Sequence, residues 1–95
     1  MNPVRAKMYY HVYVLQSTKD RHWYTGFTVD LRKRLKEHNE GKYESWTKGR
    51  GPFELIYYEA SKNKQDAKNR EKYLKTCMGK RYLKNRLKRF LALTG

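Results

Sequence analysis

Two short runs near the start of the chain constrain the fold more than any other feature. The segments 11–15 (HVYVL) and 23–27 (WYTGF) are rich in β-branched and aromatic residues, which favour β-strands. The polar segment between them is short enough for a hairpin loop. A turn centred on residues 18–19 would place Tyr13 directly opposite Tyr24, and opposed residues of an antiparallel pair share a face. We therefore expect two phenols side by side on one face of a sheet.

The net charge narrows the class of partner. A formal charge of +14 on 95 residues indicates an anionic partner, nucleic acid first and an acidic membrane surface second. A passive basic protein, for example one associated with ribosomes, is the alternative explanation of the charge, and nucleic-acid contact is favoured over it. No apolar run approaches the about 20 residues that span a membrane, and the first residues lack the apolar core of a signal peptide. We expect a soluble, cytoplasmic protein.

The remaining pattern predicts a small α+β domain. Residues 1–7 read as a flexible N-terminal arm, and 8–95 as a single domain. The first strand, 8–15, is apolar on both faces, which predicts that it is covered on both sides. The other expected elements are strands at 23–28 and 53–59 and helices at 31–40, 61–76 and 81–91. The order is ββαβαα, an antiparallel sheet with helices packed on it.

Capping residues and glycines set the expected helix ends. Asp30 is suited to cap the first helix, and Ser61 or Asn63 the second. Gly41 is a good terminator of the first helix, and Gly79 is expected to break or bend the helical region after residue 76. The single cysteine, Cys77, excludes an internal disulfide and a cysteine metal cluster.

A carboxylate falls on an apolar stripe. Glu71 shares the i, i+4, i+7 spacing of Ala67, Leu74 and Met78, and a charge there is costly unless it is paired or binds a cation. Either a salt bridge to a neighbouring cation or a Mg²⁺ ion, which takes few protein oxygens, would satisfy it. The nine acidic residues form no visible cluster for two metal ions, and the histidines have no zinc-type spacing. A phosphodiesterase of this composition would need one metal and a histidine or tyrosine base.

Five segments resemble the GIY-YIG nuclease superfamily, and within it the small single-domain proteins related to the nuclease module of UvrC. In chain order they are 12–14 (VYV), 24–26 (YTG), 28–39 (TVDLRKRLKEHN), 70–75 (REKYLK) and 81–87 (RYLKNRL). The first motif departs from the family in lacking its glycine, with His11 and Val12 before Tyr13, and Thr25 replaces isoleucine in the second. The resemblance implies an α+β fold with a three-stranded antiparallel sheet flanked by helices. It also implies divalent-metal-dependent cleavage of DNA.

The resemblance assigns roles to the tyrosine pair and the first helix. Tyr13 would be the general base, and Tyr24 would orient it or the attacking water, although sheet packing would also explain Tyr24. Because an unperturbed phenol has a pKa near 10, Tyr13 needs a positive neighbour or a proton acceptor. His38 could accept its proton or could simply pack on the sheet. Arg34 would bind the scissile phosphate with its planar guanidinium, the alternative being a surface cation.

The later segments would supply the metal site and the DNA path. The resemblance implies that Glu71 holds one Mg²⁺ or Mn²⁺ ion and that Asn85 supports the site, although a solvated helix position suits Asn85 nearly as well. Trp46 could stack on a base or pack beneath its loop. The expected phosphate contacts, which give affinity without sequence readout, are Lys42, Lys48, Arg50, Lys72 and Lys75.

Three functions are compatible with these patterns. The first is a DNA endonuclease in DNA repair or processing, structure-selective or weakly sequence-selective, with specificity that a protein partner could supply. The second is a nucleic-acid-binding module of the same fold with little or no turnover. The third is a passive basic protein, which explains the charge but not the spacing. The intact set favours the enzyme, because a pure binder does not need the lone carboxylate; this set is Tyr13, Tyr24, Arg34 and Glu71.

Overall fold

The sheet places its most apolar strand in the middle. A computed structural model of the protein describes residues 8–40 and 51–94. In this part of the chain β1 (Tyr10–Ser17) lies between β2 (Trp23–Thr28) and β3 (Phe53–Ser61), and it pairs antiparallel with both. The helices are α1 (Leu31–Asn39), α2 (Lys64–Leu74), α3 (Cys77–Arg86) and α4 (Lys88–Thr94). The expected α+β fold with a three-stranded antiparallel sheet is confirmed. The expected arm, 1–7, lies outside the described residues.

Both faces of β1 are covered, as the apolar residues on both of its faces predict. Val12 and Val14 pack in one buried cluster with Ala67 and Leu74 of α2 and with Leu83 of α3. On the opposite face a second buried cluster forms under α1, and it comprises Tyr13, Leu15 and Phe53, with Tyr24, Leu31, Leu35 and Leu55 packed against it. The sheet therefore lies between two layers of helix. Helix α1 covers the face that carries Tyr13, and α2 and α3 cover the opposite face.

The predicted hairpin register is wrong by two residues. Tyr13 lies opposite Gly26, and Tyr24 lies opposite Leu15. The strands run on to Ser17, whose hydroxyl accepts hydrogen bonds from the backbone N–H groups of Lys19 (3.1 Å) and Asp20 (3.4 Å) and so starts the turn later than expected. A shift of two preserves the side-chain parity, so both tyrosines still share one face.

Polar caps define the ends of α1 and α2. The Asp30 carboxylate accepts a hydrogen bond from the Lys33 N–H at 3.1 Å, and the Asn63 side chain accepts one from the Asp66 N–H at 3.0 Å. Both predicted caps are confirmed, with Asn63 chosen because Ser61 is still part of β3. The predicted terminator, Gly41, lies outside the described residues.

The break after α2 is made by Thr76, which corrects the prediction for Gly79. The Thr76 hydroxyl donates to the Tyr73 carbonyl at 2.6 Å and accepts from the Gly79 N–H at 3.0 Å, so it ends one helix and caps the next. Gly79 lies inside α3, where a Cβ atom would overlap the Tyr73 carbonyl oxygen. Because the helix restarts here, Met78 leaves the inner stripe and is 66% exposed.

The predicted last helix is divided as well. A second boundary at Leu87 separates α3 from α4. Of the helices in the described ranges, none combines the length and apolar character that crossing a bilayer requires.

Candidate active site

A buried hydrogen bond joins the first motif to α1. The Tyr13 Oη and His38 Nε2 atoms are 3.0 Å apart, and the two side chains are only 2% and 5% exposed. Helical periodicity brings this about, because Leu31, Leu35 and His38 follow one face of α1 and that face lies on the sheet. In the tautomer with its proton on Nδ1, His38 accepts the phenol proton through Nε2. The expected meeting of Tyr13 and His38 is thus present.

The surroundings of His38 favour the neutral form of its imidazole. Burial lowers the pKa of His38 below its ordinary value of 6.5, the positive charge of Arg34 lowers it further, and Glu37 opposes the change. A neutral imidazole has a lone pair with which to take a proton. The ring also packs edge-on against Phe53, with centroids 6.2 Å apart.

Gly26 leaves the space that the Tyr13 phenol occupies. It is the residue directly opposite Tyr13 on β2, and a Cβ atom there would overlap the phenol oxygen and Cζ. An isolated glycine in a strand commonly marks such a close approach. The glycine of the second motif therefore fixes the position of the tyrosine of the first.

Tyr24 lies diagonally from Tyr13 on the same face. Its ring packs edge-on against Phe53, with centroids 5.5 Å apart, and it is half-buried. The side chain also lines an open groove along β2. Tyr24 thus packs against the core, as one of its two expected roles requires. It also lines the groove, where a substrate could contact it.

Arg34 lies one turn before His38, as its spacing predicts. Its Nε atom is 3.9 Å from Glu37 Oε1, and the side chain is partly exposed. The guanidinium therefore stands close enough to affect the His38 pKa while still reaching solvent. A planar cation in this position can bind a phosphate in a bidentate manner.

Glu71 is held by a lysine of the next helical turn. Its Oε2 atom is 3.0 Å from Lys75 Nζ, and its side chain is 22% exposed. This is the salt bridge that the sequence offers as an alternative to a metal. The carboxylate nevertheless suits a hard divalent ion, because Mg²⁺ commonly takes one or two protein carboxylates and keeps several waters. Of the residues that the structure describes, no three acidic, histidine or cysteine side chains form a metal cluster.

The predicted site residues of α2 and α3, Glu71 among them, lie on helices that pack on the Val12 face of the sheet, whereas Tyr13 lies on the opposite face under α1. Asn85 is exposed on α3, which agrees with the solvated alternative, and Lys72 is exposed on α2. The basic residues Lys42, Lys48 and Arg50, and Trp46 in the same loop, fall outside the described residues.

Two side chains beside Tyr13 were not singled out from the sequence. His11 lies two residues before Tyr13 on the same face of β1, and Tyr58 is the partner of Tyr13 on β3. Their ring centroids are 6.1 Å apart. The Nδ1 atom of His11 is buried without a hydrogen-bond partner among the described residues. Strand alternation predicts the shared face, whereas the pairing with β3 requires the tertiary fold.

Comparison with known proteins gives a consistent result. A family model described as the GIY-YIG catalytic domain matches residues 9–86. The chain is 48% identical to the UPF0213 protein CPE1444 of Clostridium perfringens over 68% of this chain and 69% of that protein. It is 42% identical to the UPF0213 protein YazA of Bacillus subtilis over 75% and 72% of the two chains. The solution NMR structure of the UPF0213 protein BH0048 from Bacillus halodurans matches with a TM-score of 0.50 and 38% identity, covering 80% of this chain and 82% of that one.

Proposed function

The chain belongs to the GIY-YIG catalytic domain family, and from that premise we propose that it is a metal-dependent endonuclease that hydrolyses DNA phosphodiesters with Tyr13 as the general base. One observation carries the proposal most directly, namely the buried 3.0 Å contact between the Tyr13 phenol and the His38 imidazole. A buried phenol needs a hydrogen-bond partner in any case, and the partner here is an imidazole with a lowered pKa, which can also take up the phenol proton. The charge of +14 supports a polyanionic substrate.

The proton path follows from this contact. A water molecule attacks the phosphorus in line with the leaving oxygen, and its proton passes to the Tyr13 oxygen as the phenol proton passes to His38 Nε2. The new bond joins the water oxygen to phosphorus, the bond from phosphorus to the leaving oxygen breaks, and the leaving oxygen keeps the electron pair and takes a proton from solvent. Because the relay ends on an imidazole whose pKa is lowered, it operates only when His38 is neutral.

Arg34 and Glu71 complete the proposed chemistry. The Arg34 guanidinium binds the non-bridging oxygens of the scissile phosphate and stabilises the charge that develops on them. Glu71 would hold the metal ion, Mg²⁺ or Mn²⁺, which supplies electrophilic stabilisation of the phosphate oxygens when bound. Lys75 contacts only Oε2 of the Glu71 carboxylate, so the second carboxylate oxygen would be the one to hold the metal ion.

The salt bridge of Glu71 also favours a second candidate. If Lys75 neutralises the carboxylate permanently, the protein is a nucleic-acid-binding module of the same fold with no turnover. Such a module would keep the basic surface and would show no response to divalent metal.

A cleavage assay separates the two. Supercoiled plasmid and branched or flapped DNA are incubated with the protein in Mg²⁺, in Mn²⁺ and in chelator. We expect metal-dependent nicking that Arg34→Ala and Glu71→Gln abolish. The control Arg32→Ala, which removes an exposed cation of the same helix, should retain it. Binding without cleavage on every substrate would overturn the proposal in favour of the binding module.

A further inference from the structure

A groove lies beside β2, an edge strand of the sheet. It has a volume of about 900 Å³ and lies between the start of β2 and helices α3 and α4. Trp23 and Leu91 contribute its apolar surface. The indole Nε1–H of Trp23 donates to Gln16 Oε1 at 2.8 Å, which fixes the ring against the groove. The basic groove, as we name it, has Trp23, Tyr24, Lys80, Lys84, Lys88 and Leu91 among its lining residues.

The charge of the basic groove is entirely positive. Lys80, Lys84 and Lys88 follow one another at intervals of four along α3 and α4, and no carboxylate lines the groove. None of the three is in an ion pair with a carboxylate of residues 8–40 or 51–94, whereas Lys36 and Lys75 each have one. Three ammonium groups in a row repel one another, and this arrangement is stabilised when an extended anion lies between them.

The basic groove leads toward the proposed active site. Trp23, Tyr24 and Lys80 also line an adjoining pocket of about 250 Å³, whose wall includes Lys75. Lys75 in turn binds the Glu71 carboxylate. A continuous row of lysines therefore runs from α4 to the carboxylate that would hold the metal, and it passes Tyr24 on the way.

We propose that the basic groove binds the sugar–phosphate backbone of the DNA substrate on one side of the scissile phosphate. The inference rests on the proposed function, which it deepens by assigning a path to the substrate. Lys84 and Lys88 contact phosphates, and Trp23 and Leu91 contact the apolar faces of the sugars and bases. Lys80 and Lys84 lie four residues apart in α3, which separates them by about 6 Å along the helix axis, and this is of the same order as the spacing of neighbouring phosphates on one DNA strand. The groove thus contributes affinity and positions the strand without reading its sequence.

Matched double variants test the assignment. Lys84→Gln/Lys88→Gln removes two charges from the basic groove. Arg86→Gln/Arg89→Gln removes two charges from exposed positions of the same helices that do not line it. Fluorescence anisotropy with labelled single-stranded and duplex oligonucleotides, in chelator to prevent cleavage, gives the affinity as a function of salt concentration. Circular dichroism confirms that each variant is folded.

We expect the lysine variant to bind roughly 10- to 30-fold more weakly at physiological ionic strength and to lose about 1.4 to 1.8 units of salt slope. The arginine variant should bind within about 3-fold of the unmodified protein. If the lysine variant loses more affinity for one of the two oligonucleotides, single-stranded or duplex, that oligonucleotide is the form of DNA that the groove holds. Equal behaviour of the two variants would overturn the inference while leaving the proposed function standing. Failure of the unmodified protein to bind any DNA would overturn both.

Discussion

Replacing Gly26 by alanine tests whether the glycine of the second motif positions the Tyr13 phenol. The new methyl group would overlap the phenol oxygen and Cζ. Tyr13 has little room to move, because it is buried in the cluster beneath α1 and is hydrogen-bonded to His38. Either β2 shifts away from β1, or the ring leaves its place and loses His38. Either change lowers the free energy of unfolding.

The magnitude follows from these two contributions. Inserting an extra methyl group into a packed core costs about 1–3 kcal/mol, and loss of the hydrogen bond between Tyr13 and His38 costs about 0.5–1.5 kcal/mol. The lower chain entropy of unfolded alanine returns about 0.4–1 kcal/mol. We therefore expect Gly26→Ala to lower the free energy of unfolding by about 0.5–4 kcal/mol. That is a large share of the stability of a small domain.

Urea unfolding monitored by far-ultraviolet circular dichroism measures the effect, and the cleavage rate reports the displaced phenol. Gly51→Ala is the control, because its Cβ would lie 3.5 Å from the Phe53 ring, an ordinary contact. In a Tyr13→Phe background, where one of the overlapping atoms is absent, the cost of Gly26→Ala should shrink by about 1 kcal/mol. Unchanged stability and unchanged cleavage in Gly26→Ala would refute the positioning role.

Three further outcomes are expected. Arg34→Lys should slow single-turnover cleavage about 10²- to 10³-fold, because an ammonium cannot bind phosphate in a bidentate manner, and an unaltered rate would remove Arg34 from the site. The His38 pKa is lowered in the folded protein, so the unfolded chain binds more protons below about pH 6.5 and stability should fall there as pH decreases. His38→Gln should flatten this fall in urea titrations at several pH values, and an identical slope would contradict the shift. Leu74→Ala, at a fully buried position, should cost about 2–5 kcal/mol, and a loss below 1 kcal/mol would mean that the site collapses around the change.

The shared face of the two tyrosines was predictable, and their register was not. Strand periodicity of two residues places Tyr13 and Tyr24 on one face for any register shift of two. The register itself depends on the Ser17 hydroxyl, which starts the turn. Side-chain-to-backbone bonds of this kind are within reach of turn chemistry. The isolated Gly26 within a strand was likewise a signal of close approach that the sequence contained.

In the helices too, features set by local spacing were predictable, whereas features set by contacts between distant segments were not. The 3.6-residue period placed His38 on the inner stripe of α1, and the i, i+4 spacing placed Lys75 within reach of Glu71. Thr76, in contrast, ends one helix and caps the next, and sequence reasoning assigned that break to Gly79. The basic groove joins residues of β2 to residues of α3 and α4. Only the packing of distant segments brings these together.

The central claim is that Tyr13 takes the proton of the attacking water, and one rate measurement tests it most directly. Tyr13→Phe deletes the phenol oxygen and leaves the ring, so the variant should remain folded and should bind DNA as the unmodified protein does. Under single-turnover conditions with saturating metal, we expect its cleavage rate to fall about 10²- to 10⁴-fold. Tyr24→Phe, measured alongside, should lose less. A Tyr13→Phe protein that cleaves at the unmodified rate would contradict the account.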